Sequence, residues 1–573
     1  MSSSPTAPSE KVDQQHLEKA HVEQFETRRY PPDFEAEVAK NHIPLRGRLL
    51  TAGLAFIAGT GFTLFGYDQG VMSSLLTGNQ FEAQFPQVVV ESSHPNHATL
   101  QSFIIAIYEV GCLAGALTNL VIGDPLGRRR TIALGGVIMA IGAILQTTSF
   151  SFAQLIVARI VTGFGNGMIT STVPTYHAEC SPAASRGQLI MLEGCMIVFG
   201  VTWIDFGCYF MTNSSAQWRL PLALQLVFEL IMICFIWFLP ESPRWLVKHG
   251  RDAEAMAVIS ALEDKPFSDG EVQRTFHAIR EAVAMEFPGL SDKKQSSFDV
   301  LKTQMKELLT NDRSQNFRRA SIGIVCQMMQ QLTGINLVTY YATILFQRLG
   351  LSDINSRIIA SANGTEYFLA SWIAYYFVER VHRRTLMLVG TIGQCITMAL
   401  LAIMGAIDNG PANVFSAVLL FAFNTFFAIG WLGMGWLYPA ELSGLRTRTA
   451  ANALSTASNW TWNFVVVMVV GPSFNNINWG TYIVFAVLNA LIVPGVYFFF
   501  PETGGRSLED MDVVFAYAHI HNLDPVKVSL RKDIPPAGTP EADEILGVHP
   551  GLRRRASQGT SEDTDSSSEP KST

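Results

Sequence analysis

Runs of around 20 mostly apolar residues recur from residue 49 to residue 500, each long enough to cross roughly 30 Å of hydrocarbon as a helix. Lipid offers no partner to a backbone N–H or C=O, so a span of this length satisfies its own hydrogen bonds as an α-helix. Two sets of six emerge. The first lies near 49–73, 98–121, 131–150, 153–175, 187–211 and 220–240; the second lies near 320–347, 356–378, 385–406, 412–438, 449–472 and 478–500. Only 16% of the chain is charged and 48% is hydrophobic, against roughly 25% charged in a soluble domain. The fold class expected is all-α integral membrane, with twelve transmembrane helices in two six-helix bundles. Domain bounds follow: a disordered tail over 1–48, an N-terminal bundle over 49–240, a loop with short helices over 241–319, a C-terminal bundle over 320–500, and a mostly disordered tail over 501–573.

Charge placement gives an orientation and excludes several functions. Arg128, Arg129 and Arg130 share one loop, Arg383 and Arg384 another, and Arg244, Lys248, Lys293, Lys294, Arg318 and Arg319 the central one, whereas 74–97 has neither Lys nor Arg. Basic loops face the cytoplasm, so both termini are expected there, in a multi-pass protein of the plasma membrane. The first 48 residues have no signal-peptide core. The formal net charge of -7 resides in tails and loops and forms no basic face for nucleic acid. Seven cysteines, several inside spans such as Cys112, Cys195, Cys234 and Cys326, show no disulfide or metal spacing. No nucleophile, metal or nucleotide constellation is present, so neither an enzyme nor a cofactor is expected.

One pattern is written twice. Asp124 precedes Gly127-Arg128-Arg129, Glu179 is followed seven residues later by Arg186, and Pro240-Glu241-Ser242 ends the sixth span. Glu379 precedes His382-Arg383-Arg384, Glu441 is followed seven residues later by Arg448, and Pro501-Glu502-Thr503 ends the twelfth. The copies are displaced by 255, 262 and 261 residues. Parallel repeats of this kind bind substrate between the halves near the midplane. Carboxylate and guanidinium groups pair bidentately, and these acids and arginines sit at cytoplasmic helix ends. They are candidates for a cytoplasmic gate that closes in one conformation and breaks in the other. Arginines that only anchor loops at lipid headgroups are the alternative.

LFGYDQGVM at 64–72 places Asp68, the first charge after Arg48, inside the first span. A lone charge at the bilayer centre costs roughly 2.5–3.5 kcal/mol on insertion scales, so it needs a partner or a task. Asp68 lies roughly 30 Å from Arg48 at 1.5 Å per residue, and Arg159, in the outer part of the fourth span, lies at a similar depth. A static salt bridge is one reading. Proton coupling is the other, because an arginine keeps a neighbouring carboxylate ionised and a carboxylate left alone in a dry site takes a proton. Glu109, Glu193, Asp205 and Glu366 also fall inside spans. Glu109 stays open between a second protonatable group, a hydroxyl acceptor and a neutral carboxyl bonded to a neighbouring helix; the last reading is preferred for Glu193 and Asp205.

GYDQG at 66–70, RIVTGFGNG at 159–167, PESPRWL at 240–246, QQLTGIN at 330–336 and PETGGRSLE at 501–509 together resemble the sugar porters of the major facilitator superfamily. YEVGCLAG at 108–115, WIDFG at 203–207 and NWTWNFVVVM at 459–468 are similar to the fungal branch that includes glycerol/proton symporters. The resemblance implies that Asp68 carries a proton, that Gln330, Gln331 and Asn336 bind substrate, and that Tyr340 and Tyr341 form an outer gate. Spacing alone does not decide which of these amides points inward. The resemblance also assigns Trp436 to stacking and Asn459 and Trp460 to the site. Amides donate and accept, and an aromatic face covers the C–H side of a polyol or sugar.

Two family amides are missing. Gly194 stands where hexose porters carry Gln, and Tyr367 where they carry Asn. Hydroxyls left unpaired in a dry pocket cost roughly 1–3 kcal/mol each. Gly194 is expected to enlarge one wall, and Tyr367, counted with the binding residues, to fill the other and favour a small polyol. Pro125 and His382 depart from the family's loop motif. The function expected is proton-coupled symport of a small polyol or monosaccharide (glycerol, a hexose or a pentose) by alternating access. A monomer in contact with membrane lipid would carry it out. A passive facilitator and a non-transporting nutrient receptor are the alternatives.

Overall fold

The computed structural model describes residues 30–89, 96–181, 186–197, 201–286, 297–444, 447–506, 508–537 and 539–547. The chain divides into two compact units, one of Gly53–Leu239 with Gln295–Ala537, the other of Met1–Ala52 with Pro240–Lys294 and Gly538–Thr573. The larger unit is all-α and carries the spans in two halves. The first half contains Gly47–Leu75, His97–Leu126, Arg128–Thr147, Phe152–Cys180, a fifth span recorded as Arg186–Ile197 and Val201–Tyr209, and Ala216–Phe235. The second half opens with a seventh span broken into Asn316–Leu332 and Ile335–Arg348, followed by Asp353–Phe377 and Arg383–Ile407. A tenth span joins Gly410–Phe427 to Met434–Leu442 through a π-helical turn, and Arg448–Asn476 and Gly480–Phe499 complete the set. Span starts at Arg128 and Arg383 define a basic face; the opposite one is called the far face.

Among the described residues, eight helices are long and apolar enough to cross a membrane by length and composition alone. The fifth, seventh, eighth and eleventh spans are not among them. The seventh breaks at Gly334, and the eighth and eleventh bury polar side chains such as Asn363, Asn452, Asn459 and Asn463; of the fifth, residues 198–200 lie outside the described residues.

Glycines bring two of the spans together. A Cβ on Gly163 would run into the carbonyl of Tyr108, and one on Gly167 into that of Cys112. Small residues of this kind let helix backbones approach closely in lipid, and this contact sets Arg159, one turn from Gly163, against the second span. The seventh span breaks at Gly334, whose φ of 95 is left-handed; a side chain would be strained there and would meet Phe485 at 2.8 Å. At the start of the ninth span, Glu502 accepts from the Arg383 and Arg384 amides at 2.9 and 3.1 Å. It thereby satisfies two of the N–H groups that a helix start leaves without partners.

Two stretches expected to be disordered fold. Leu508–Ile520 and Pro525–Ser529 are helices with Val513, Val514 and Phe515 buried. Gln315 Nε2 donates to the Phe515 carbonyl at 2.9 Å, and the Arg319 guanidinium lies 5.1 Å over the Phe515 ring. The apolar patch of this segment outweighs the polar composition of the tail around it. In the smaller unit, Pro32–Lys40 is helical and its Val38 packs among Trp245, Leu246, Met256, Ile259 and Phe276. The central-loop helices Pro243–Lys248, Asp252–Glu263 and Gly270–Glu286 belong to the same unit. There, Glu263 accepts from Thr275 Oγ1 at 2.8 Å. Burial pushes its carboxyl above the ordinary carboxylate range, against the lowering pull of that bond and of Lys265.

Candidate transport site

Six spans line a cavity between the two halves, walled by polar amides and aromatic rings. Phe65, Gly66, Gln69 and Gly70 come from the first span and Ile197 from the fifth; the second half supplies the rest of the wall. Gln330, Gln331 and Asn336 all border it, since the break at Gly334 frees the three from a single helical register. Their side chains are tied to one another and to the neighbouring spans. Asn336 Nδ2 donates to Gln331 Oε1 at 2.5 Å, Asn459 Nδ2 to Gln330 Oε1 at 2.9 Å, and Gln330 Nε2 to the Trp431 carbonyl at 2.9 Å. Trp436 lines the cavity and stands edge-on to Phe62 and Phe65, with centroids 5.3 and 6.1 Å away. Tyr367 lines it too, edge-on to Phe427 at 6.2 Å.

Several expectations need correction. Trp460 is fully buried behind Phe65, 5.1 Å away, and does not border the cavity; next to Asn459 on one helix, it points about 100° aside. Gly194 does not enlarge a wall, because a Cβ there would meet Gly433 Cα at 3.2 Å. The space saved goes to close packing of the fifth span on the tenth. The expected outer gate is not overturned: Tyr340 and Tyr341 stand off the cavity wall, between the halves. The Tyr340 hydroxyl donates to Glu109, and that of Tyr341 shares a 2.9 Å hydrogen bond with Ser102. Both tie the seventh span to the second and thus one half to the other. Gln69, Asn363 and Asn424 are wall residues that the sequence reading missed. Amides in apolar runs were the available signal.

Beside the cavity, Arg159 Nη1 meets Asp68 Oδ1 at 3.0 Å with both side chains fully buried. Arg159 also donates to the carbonyls of Ile104 and Ile105, each at 3.2 Å, and lies 4.8 Å over the Tyr108 ring. Among the described residues, Asp68 Oδ2 and Glu109 Oε2 have no hydrogen-bond partner. Neither oxygen of Glu229, a sixth-span acid absent from the sequence reading, has one either. Glu193 is bonded to His177 of the fourth span, Asp205 is buried, and Glu366 accepts from Thr425.

At the basic face, Arg128 grips Glu179 bidentately at 3.0 and 3.1 Å and reaches Asp124 at 3.6 Å. Its repeat mate Arg383 reaches Glu379 at 3.0 Å and Glu441 at 3.3 Å. Glu441 thus meets Arg383 and Thr503 rather than the expected Arg448, while the expected pair of Glu179 with Arg186 falls on a side chain outside the described residues. Each arginine opens the third or ninth span and reaches the acid that ends the following one, bracing helices within one half. Arg448 donates to the Ser443 carbonyl at 3.3 and 3.2 Å. Contact between halves on this face is made where Gly187 abuts the Glu379 carboxylate. On the far face, Arg357 of the eighth span donates to the carbonyls of Ser74 and Thr77, at 3.0 and 2.7 Å, at the end of the first span.

A polar cavity held at mid-depth by two repeated halves, with halves touching both above and below it, is the arrangement of a secondary transporter that opens alternately to each side. The chain belongs to the sugar (and other) transporter family, whose model matches residues 54–515. It is a multi-pass membrane transporter and not an enzyme. It is 40% identical over 498 residues to the sugar transporter STL1 of Saccharomyces cerevisiae, covering 85% of each chain. It is also 40% identical to the MFS-type transporter oryC of Aspergillus oryzae over 482 residues, or 82% of this chain and 87% of that one. Among solved structures, the proton:xylose symporter XylE bound to 6-bromo-6-deoxy-D-glucose superposes with a TM-score of 0.69 at 22% identity, over 81% of this chain and 99% of that one.

Proposed function

We propose that this protein is a plasma-membrane symporter that carries a small polyol or monosaccharide, with glycerol the leading candidate, together with a proton. The buried Asp68–Arg159 pair carries the reading. A passive facilitator has no use for a carboxylate whose burial is costly, whereas a coupled carrier needs one that alternates between charge states. Arg159 is held by two carbonyls and the Tyr108 ring as well as by Asp68. The cation therefore keeps partners when Asp68 takes a proton and lets go, which makes separation of the pair affordable within a dry site. Glu109 and Glu229 are the further acids close to this path.

In this reading the amides of Gln330, Gln331, Asn336 and Asn459 hold substrate hydroxyls, Trp436 covers its C–H face, and Tyr367 narrows the chamber. The basic face is cytoplasmic, with both chain termini on that side. Arg128, Glu179, Arg383 and Glu441 keep each half rigid while Gly187 and Glu379 part, and Tyr340, Tyr341 and Arg357 part on the outside. The working unit is a monomer embedded in lipid. Similarity to a named sugar transporter and to a proton:xylose symporter supports the substrate class and the coupling.

The test is uptake of radiolabelled glycerol, xylose and glucose in a transporter-deficient yeast, with external pH recorded. Asp68→Asn is expected to abolish accumulation above equilibrium and the pH signal while substrate exchange persists; an Asp68→Asn protein that still concentrates substrate removes the coupling role.

A further inference from the structure

The eighth and tenth spans each set an asparagine into the cavity wall, Asn363 and Asn424. Asn424 Nδ2 donates to Asn363 Oδ1 at 2.8 Å. Both residues are 3% exposed. The atoms left over, Asn363 Nδ2 and Asn424 Oδ1, are buried with no hydrogen-bond partner among the described residues. Two amides joined by one N–H···O bond always retain one free NH2 and one free carbonyl oxygen. Exchanging O and N on both residues leaves the same free pair. Buried amide groups are costly to leave unpaired, and these two border the cavity.

We propose that Asn363 and Asn424 form a hydroxyl-binding subsite for the transported polyol, with the free oxygen accepting from the ligand and the free NH2 donating to it. A hydroxyl group does both, and adjacent hydroxyls can divide the two roles. The inference rests on the polyol reading of the cavity and specifies where that polyol is held. Asn363 precedes Tyr367 by four residues and so shares its face of the eighth span, about 6 Å nearer the far face. The amide absent at Tyr367 is thus supplied one turn away. Tyr367 and Phe427, edge-on to one another, give the chamber an apolar floor beneath the pair. A short, hydroxyl-dense chain fits that division better than a ring requiring amides at floor level.

The test uses full-length protein, wild type and the double variant Asn363→Val/Asn424→Val, chosen because removing both partners leaves neither amide orphaned. Binding of 1-propanol, 1,2-propanediol and glycerol is read from the ligand-induced rise in Tm, and uptake of labelled glycerol is measured in parallel. In the wild type, affinity should climb along that series; in the double variant the climb should flatten, with glycerol binding about tenfold weaker. Asn363→Leu/Asn424→Leu removes both amides with side chains closer to asparagine in length. It is expected to flatten the series likewise and serves if the valine variant does not fold. An undiminished climb in these variants, or a wild type that binds no glycerol, overturns the subsite. Amide-dependent binding without uptake keeps the subsite and removes the transport reading, whereas uptake with the same KM in wild type and double variant does the reverse.

Discussion

Arg159 shows how a single side chain can be satisfied twice over, once by charge and once by hydrogen bonds to Ile104 and Ile105. Its partner was legible in the sequence, because a buried arginine admits few partners. Glu263 offers a separate test in the smaller unit. Burial raises its carboxyl above the ordinary range, so the folded protein holds that proton to higher pH than the unfolded chain does. Stability at this position is then greatest below the ordinary carboxylate range and declines as pH rises through the raised value. Glu263→Gln keeps an acceptor for Thr275 and removes the titration. Protection factors of the Asp252–Glu263 amides in the full protein should rise at neutral pH in the variant and lose their dependence on pH over that window. Identical exchange in both proteins would show that the carboxyl is relieved by solvent.

At the scale of helices, the glycine seam between the second and fourth spans is the most exacting contact. Gly163→Ala sets a Cβ against the Tyr108 carbonyl, whereas Gly207→Ala meets nothing within 4 Å. The first is expected to lower stability by about 1–3 kcal/mol, read as a fall in melting temperature of the detergent-solubilised protein, and the second to leave it unchanged. Equal melting of the two would mean that the seam relaxes freely. Span number and order were readable because hydrophobic length is a one-dimensional property. Rotation about the helix axis was not. It puts Asn459 in the wall and Trp460 behind Phe65, and it brings Asn363 and Asn424 together from spans 61 residues apart. The ordered helix Leu508–Ile520 escaped notice because its buried Val513, Val514 and Phe515 are few and sit in a polar tail.

For the molecule as a whole, each face is closed by a charge resting on a helix end. Glu379 meets the fifth span at Gly187, beside its start, and Arg357 meets the last carbonyls of the first; both signs suit the helix dipole. Glu379→Gln should lengthen distances between the halves across the basic face, and Arg357→Gln across the far face, in spin-label measurements on the reconstituted protein. Both variants shifting the same face would dissociate the contacts from the gates. Among the described residues, the seventh and eighth spans are not among the helices long and apolar enough by length and composition to cross a membrane, and this carries a further consequence, for manufacture. The seventh and eighth spans leave the ribosome before the tenth and eleventh, their partners in the cavity wall, have been made. A chain cut after Ile407 should therefore fail to lodge both of them in the membrane, as reported by glycosylation tags placed between them, while the full chain succeeds. Entry of the second half into the bilayer is then a collective event, and the polarity a chamber can carry is capped by what the translation machinery can keep in place until its neighbours arrive.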